Sequence, residues 1–456
     1  MLRRLRRNLE SESKMNKFRY ALLTLLFAGL MSLACEKPDA PVGPGNDEPV
    51  VEQPDTTDTQ KPDEPPVVEK PQPKKVSLWI STSVNFSRLK TKSNIKHFMD
   101  LIQDAGFNEI ILEVKTMQGK ALYFSDILEY QTEANGVTVQ RDWDYLQYFI
   151  DQAHQRGMTI LAASTVMPDY RPEWEQYCCI EHLPGGLKSI KESKDGMFPF
   201  LNPVYPEVRE LVMSVCEEIV RKYDVDGLVL DYCRYQNANS DFSEASKKAF
   251  EEYAGVKCTN FPYDIYYYPE GETDKGEYKP STHYNKWMEW RSSVIQGYVK
   301  EIRDRIKSIK PDISLQYWAA AWWPLPGTGQ NWASQKHTNY PYWWSTSDYY
   351  KTGFADYLDV FQNGAYYNKV TPMWENGTVA NALYQGDAII KDACKQYSSF
   401  SVANSSFDTK EATKYSYLNA DGVMVFELCY MVKHDLWDEV REGIQEAEAE
   451  LGIVRD

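Results

Sequence analysis

Three carboxyl side chains in this chain stand where acid chemistry needs them. The run Asp226-Gly-Leu-Val-Leu-Asp231-Tyr-Cys-Arg234-Tyr235 carries an apolar strand into a carboxylate. Glu427 follows Val423-Met-Val-Phe426, and Glu113 ends a second apolar run, with Lys115 two residues on. Paired carboxyls of this kind split proton donation from proton acceptance or nucleophilic attack, provided their environments separate their pKa values. The lysine beside Glu113 favours its ionised form, as a base or a ligand for substrate. The apolar neighbours of Glu427 favour the neutral acid. Each has a structural alternative: a rim salt bridge to Arg234 for Asp231, and a helix N-cap contact for Glu427. Asp226 starts its strand, so it is read as structural.

Strand ends matter only if one fold gathers them. Apolar periodicity predicts strands at 76–81, 109–114, 158–164, 227–231, 313–319, 357–362, 400–403 and 422–427. Helices at 93–105, 142–156, 206–223, 284–309 and 435–451 fall between or after them. Pro206 and Glu207 open the third helix, and Val208, Leu211, Val212, Val215, Ile219 and Val220 share one face of it. Eight strands alternating with helices predict an α/β chain closed as a (β/α)8 TIM-type barrel with long decorated loops. In that fold the C-terminal strand ends form the pocket. An open doubly wound sheet would want a glycine-rich loop after strand one, and Thr82-Ser-Val-Asn85 has none.

The N-terminus predicts location. Basic residues and an apolar stretch lead into Ser32-Leu-Ala-Cys35, which looks like a lipoprotein signal peptide over 1–34 with lipidation at Cys35. Met15 is a plausible start. Residues 35–75 hold ten of the chain's 24 prolines among acidic residues and no aromatic, the composition of a disordered tether. Residues 76–456 then form the barrel. Glu36 after the cysteine predicts an outer-membrane lipoprotein of a Gram-negative bacterium, held to the membrane by the lipid alone. Loss of residues 1–34 removes seven basic and two acidic residues, taking the formal charge from −16 to −21. That charge argues against nucleic acid as a partner. The seven other cysteines show no zinc spacing, and the six histidines make no cluster, so neither a metal site nor a cofactor is expected.

Several blocks in order resemble the family-10-like glycosyl hydrolases: FNEIILEVKTMQGKALY from Phe107 to Tyr123, AHQRG at 153–157, FLNP at 200–203, DGLVLDYCRY at 226–235 and KPD at 310–312. The resemblance implies a barrel acting on glycans outside the cytoplasm, without naming a sugar. Glycoside hydrolysis needs one protonated and one ionised carboxyl, so Asp231, Glu427 and Glu113 become catalytic candidates. Arg234, Tyr235, Lys115 and Tyr123, within the same blocks, are expected at substrate. Two other glycosidase patterns fit strand four less well: Cys233 stands where chitinases place their acid, and Val229 where α-amylases place an arginine.

After strand five, Trp318, Trp322, Trp323, Trp332, Trp343 and Trp344 lie within about thirty residues. Aromatic faces stack on sugar rings, so Trp318, Trp322 and Trp323 are expected to bind substrate, with Gln362 at the end of strand six. The alternative is a loop folded on its own aromatic core. The sequence therefore predicts a surface-tethered glycoside hydrolase. The rival reading is a non-catalytic glycan-binding lipoprotein on the same barrel.

Overall fold

The computed structural model describes residues 71–192 and 199–454. The proposed signal, Cys35 and most of the tether lie outside them. Eight parallel strands close into a barrel: β1 Lys75–Ile80, β2 Glu109–Lys115, β3 Thr159–Thr165, β4 Gly227–Asp231, β5 Ser314–Ala320, β6 Val360–Gly364, β7 Lys395–Ser401 and β8 Gly422–Phe426. Each pairs with its sequence neighbours, and β8 closes on β1. The strands are the expected ones, shifted by a few residues; β7 begins five residues earlier than apolarity indicated, because its first half is Lys-Gln-Tyr-Ser-Ser.

Among the described residues seven longer helices flank the barrel strands, α1 Lys92–Asp104, α2 Tyr145–His154, α3 Pro206–Lys222, α4 Tyr284–Ile309, α5 Val379–Ile390, α6 Thr409–Asn419 and α7 Trp437–Leu451, and a further helix, Glu244–Ala254, lies in the insertion before α4. Side chains that accept from backbone N–H groups of the first turn fix several starts. Thr91 caps α1, Asp144 α2, Thr378 α5 and Asp408 α6. Helices α5 and α6 had not been predicted. Their stripes are short and, in α6, largely Thr, Ser and Tyr.

Period-two alternation sends one face of each strand inward. Trp79, Ile111, Leu161, Ala163, Val229 and Met424 fill the barrel, with Trp318 and Phe426 packed above them. The other face meets the helices in the main core. A separate aromatic core of Phe242, Phe250, Tyr266, Trp287, Trp290, Trp344 and Tyr349 holds the insertion before α4 together with the long loop after β5. That loop thus uses part of its aromatic content on itself.

Among the described residues no helix is long and apolar enough to cross a membrane, and no group of His, Cys, Asp or Glu is arranged for a metal ion. The seven described cysteines are free thiols, five of them buried.

Candidate active site

Register fixes the order of groups around the C-terminal rim. Leu78 of β1 opposes Val425 of β8, and Ile80 opposes Leu112 of β2. The end of β1 therefore passes between Glu427 and Glu113. Glu113 opposes Ala163 of β3, and Thr165 of β3 opposes Asp231. Glu113 thus sits between the other two carboxylates. One strand separates it from Asp231, a backbone separation on the order of 10 Å at the usual strand spacing. Asp226 is at the opposite end of β4, where its Oδ2 accepts from the Ile160 N–H at 2.8 Å.

Asp231 keeps part of its surface open to the barrel mouth, yet the packed protein around it withholds most solvent. Burial pushes its carboxyl up to about 7, against the Arg234 charge and the Tyr232 N–H. That N–H donates to Oδ1 at 2.8 Å. Tyr232 takes φ +51°, which turns the chain sharply away from the strand. Arg234 makes no ion pair with Asp231. Its Nη1 donates to the carbonyls of Tyr235 (2.9 Å) and Gln236 (2.7 Å), and its guanidinium lies over Phe200 and Tyr232.

Glu113 is 8 % exposed, and its carboxyl accepts no hydrogen bond among the described residues. Burial first, then the charges of Asp231 and Glu427, push it up to about 8; Lys115 opposes them and is outweighed. The expectation that Lys115 would hold Glu113 ionised and touch substrate is corrected here. A register slip between Glu113 and Lys115 breaks the alternation, and Lys115 Nζ donates to Thr165 O (2.6 Å) and Pro168 O (2.9 Å). Its burial brings it down to about 8.

Glu427 caps the short helix Leu428–His434, the structural alternative foreseen for it. It accepts from Cys429 N (3.2 Å), Ser81 N (3.1 Å) and Asn85 Nδ2 (3.0 Å). Burial raises its pKa, while these donors favour the anion. Donors from distant chain offset the apolar neighbours that sequence alone showed. The relative suitability for the acid role is therefore reversed. Glu113, with no donor and two nearby anions, suits the neutral form better than Glu427.

The aromatic residues divide. Trp318 points into the mouth, and its Nε1 donates to Ser399 Oγ at 3.2 Å. A Cβ on Gly364 would come within 2.8 Å of this indole, so the glycine makes room for it. Trp322 is 57 % exposed and interacts with Tyr367. Trp323 packs edge-on against Trp332, with ring centroids 4.8 Å apart, and so lies against the main core.

Three other expectations are corrected by burial. Tyr123 is fully buried, donating to Glu218 Oε2 on α3 at 3.1 Å, between barrel and helix. Tyr235 is buried beneath the Arg291 guanidinium, 4.1 Å from its ring. Gln362 points into the barrel below the mouth, its Nε2 donating to Gln316 Oε1 at 2.7 Å.

Sequence reasoning missed a ring wall. Trp79 meets Phe426 at 6.0 Å, Phe426 meets Tyr366 at 5.3 Å, and Tyr366 meets Trp318 at 5.3 Å. Trp79 and Phe426 occupy inward positions that alternation could have flagged. Tyr366 lies two residues beyond β6, where periodicity says nothing. Trp374, 84 % exposed in the loop after β6, was also missed.

A closed parallel barrel with carboxylates and aromatic rings at its C-terminal mouth defines a class of glycosidase-type barrels. Residues 76–370 match the family described as Glycosyl hydrolase-like 10, and the chain belongs to that family. It is 27 % identical over 350 residues to an S-layer-related protein of Niallia circulans, a match covering 69 % of this chain and 21 % of that protein. It is 24 % identical over 259 residues to the glycosyl hydrolase DigH of Escherichia coli K12, covering 54 % of this chain and 52 % of DigH. These matches thus span about a fifth and about half of the relatives' lengths.

Among solved structures, the PgaB (BpsB) glycoside hydrolase domain from Bordetella bronchiseptica superposes with TM-score 0.55 at 12 % identity, over 82 % of this chain and 99 % of that one. Alpha-L-fucosidase isoenzyme 2 from Paenibacillus thiaminolyticus gives 0.53 at 16 % identity, over 84 % and 50 %. These likenesses show the fold.

Proposed function

We propose that this chain is a surface-tethered glycoside hydrolase that cleaves an extracytoplasmic poly- or oligosaccharide, with Glu113 as general acid and Asp231 as nucleophile or base. The observation that carries the reading is the environment of Glu113. Its carboxyl is nearly buried, receives no hydrogen bond among the described residues, and is pushed up to about 8 by burial and by the carboxylates on either side. Such a carboxyl holds its proton at neutral pH and can give it to a leaving oxygen. Asp231 ionises first and supplies the charge opposite. Glu427, held by three donors, fixes the end of β1 and contributes a second anion to the field at Glu113. The rings of Phe426, Tyr366 and Trp318, packed over the buried Trp79, give sugar rings an apolar surface. The glycosyl hydrolase-like family supports the same reaction class.

The lipid at Cys35 and the proline-rich segment belong to the same proposal. They would keep the barrel at the outer membrane without a spanning helix.

The test is hydrolysis of a glycan panel by the full chain beside Asp231→Asn, which keeps the shape and removes the charge. Activity should fall by about a thousandfold or more, while glycan binding survives. Full activity in Asp231→Asn would reject this site. Glycan binding by the wild type without any hydrolysis would put the binding-protein reading first.

A further inference from the structure

Tyr366 carries the one side-chain hydroxyl of the ring wall, and that hydroxyl makes no well-aligned hydrogen bond among the described residues, although Ser399 and Trp318 lie beside it. The atom is buried. The polar groups beside it are committed elsewhere: Trp318 Nε1 donates to Ser399 Oγ at 3.2 Å, and Ser399 Oγ donates to Met424 Sδ at 3.6 Å. The ring is held between Trp318 and Phe426, each at 5.3 Å between centroids. A phenylalanine would fill that space equally well, without the desolvation penalty of an unmade hydrogen bond.

Register places the hydroxyl near the chemistry. Tyr317 of β5 opposes Leu230 of β4, so Trp318 stands beside Asp231 at the next position. Trp318 opposes Gln362 of β6, and Tyr366 follows that strand back over the mouth. Asp231, Trp318 and Tyr366 therefore follow one another around the rim.

We infer that Tyr366 is a substrate-binding residue of the reacting subsite, whose phenolic hydroxyl hydrogen-bonds the sugar unit held against Asp231. This rests on the glycosidase reading of the site. Burial, reinforced by the charge of Asp231 and opposed by the neighbouring Ser399 and Trp318 polar groups, holds the phenol well above its usual pKa. It stays protonated wherever the enzyme works and offers both a donor and two lone pairs to a ring substituent. The ligand it meets is a pyranose oxygen or nitrogen; Trp318 and Phe426 take the apolar face of the same ring.

The experiment compares Tyr366→Phe with wild type and Asp231→Asn in the full chain. Its readouts are unliganded thermal melting, kcat/KM on whichever panel glycan is cleaved, and calorimetric affinity for neutral gluco-, manno-, xylo- and N-acetylglucosamine hexasaccharides. Tyr366→Phe should melt at the wild-type temperature or about 1–3 °C higher, since it removes an unpaired buried hydroxyl. Its kcat/KM, or its affinity if no hydrolysis is found, should fall about 10- to 100-fold, the loss of one hydrogen bond to substrate. A melting temperature several degrees lower would mean the hydroxyl has a partner within the fold, and would overturn the inference. So would wild-type kcat/KM and affinity in Tyr366→Phe. If Asp231→Asn is inactive while Tyr366→Phe is fully active, only this inference fails. If Asp231→Asn is fully active, the reading of the site fails first.

Discussion

Glu113 and Asp231 stand on β2 and β4 with β3 between them, and the second of the pair to ionise does so against the charge of the first. Asp231 is pushed to about 7 chiefly by burial; Glu113 reaches about 8 through burial and the negative charges of Asp231 and Glu427. Between about pH 7 and 8 this pair therefore holds one carboxylate and one carboxylic acid. That division is what a glycosidase requires of two otherwise equivalent groups.

The pH dependence follows from this pair. kcat/KM should be bell-shaped, rising as Asp231 ionises near 7 and falling as Glu113 loses its proton near 8. Glu113→Gln should cost about 10²–10⁴-fold on a natural glycoside, and far less on an aryl glycoside whose leaving group needs no proton. Equal losses on both substrates would remove Glu113 from the acid role.

Stability changes with pH for the same reason. The folded pKa of Glu113 lies above its unfolded value, so its contribution is present below about 4 and is lost as pH rises through about 8. Melting curves of Glu113→Gln and wild type should therefore diverge upward in the mutant's favour at pH 9, and lie much closer at pH 4.

Binding should separate the tryptophans of the rim. Trp322 in the loop after β5 and Trp374 in the loop after β6 are exposed indoles, at 57 % and 84 %. Replacing either with Ala should weaken oligosaccharide binding by about 1–3 kcal/mol, the scale of one aromatic stacking platform, with melting unchanged. Trp323→Ala should instead destabilise the fold by about 2–3 kcal/mol, because its ring packs on Trp332. Calorimetry and thermal melting on the three variants check both halves. Unchanged affinity with a large loss of stability in Trp322→Ala would move that residue into the loop's core.

The barrel was legible because its inner strands are short apolar runs followed by polar turns, and Asp231 was legible because it ends one. What sequence could not supply was contact between distant segments. Two of the three donors to Glu427 come from Ser81 and Asn85, about 340 residues away along the chain. The slip in β2 turns Lys115 aside and leaves Glu113 without its cation's full effect. Both changes act on the same question, which carboxyl keeps its proton, and both reverse the answer drawn from sequence neighbours. Tyr123 failed differently. It belongs to a block shared with the family, but it meets Glu218 on α3 rather than the pocket. Resemblance in a block extends to packing as readily as to binding.

The proposed location rests on chemistry at a single residue. Cys35 follows an apolar stretch and Ser-Leu-Ala, and the 39 residues 36–74, rich in proline and acid, separate it from the start of the barrel strands. If the cysteine carries the lipid, its thiol is the attachment atom and no other residue can replace it. Cys35→Ala should leave the barrel folded and move the protein from the membrane pellet to the soluble extracytoplasmic fraction. Shortening residues 36–70 instead should leave it in the pellet, because a spacer sets distance from the bilayer and not attachment to it. Fractionation of both variants, with labelling by a fatty-acid analogue, separates the two roles. Continued pelleting and unlabelled wild-type protein would together reject lipidation at Cys35, and attachment to the membrane would then have to come from the apolar stretch itself.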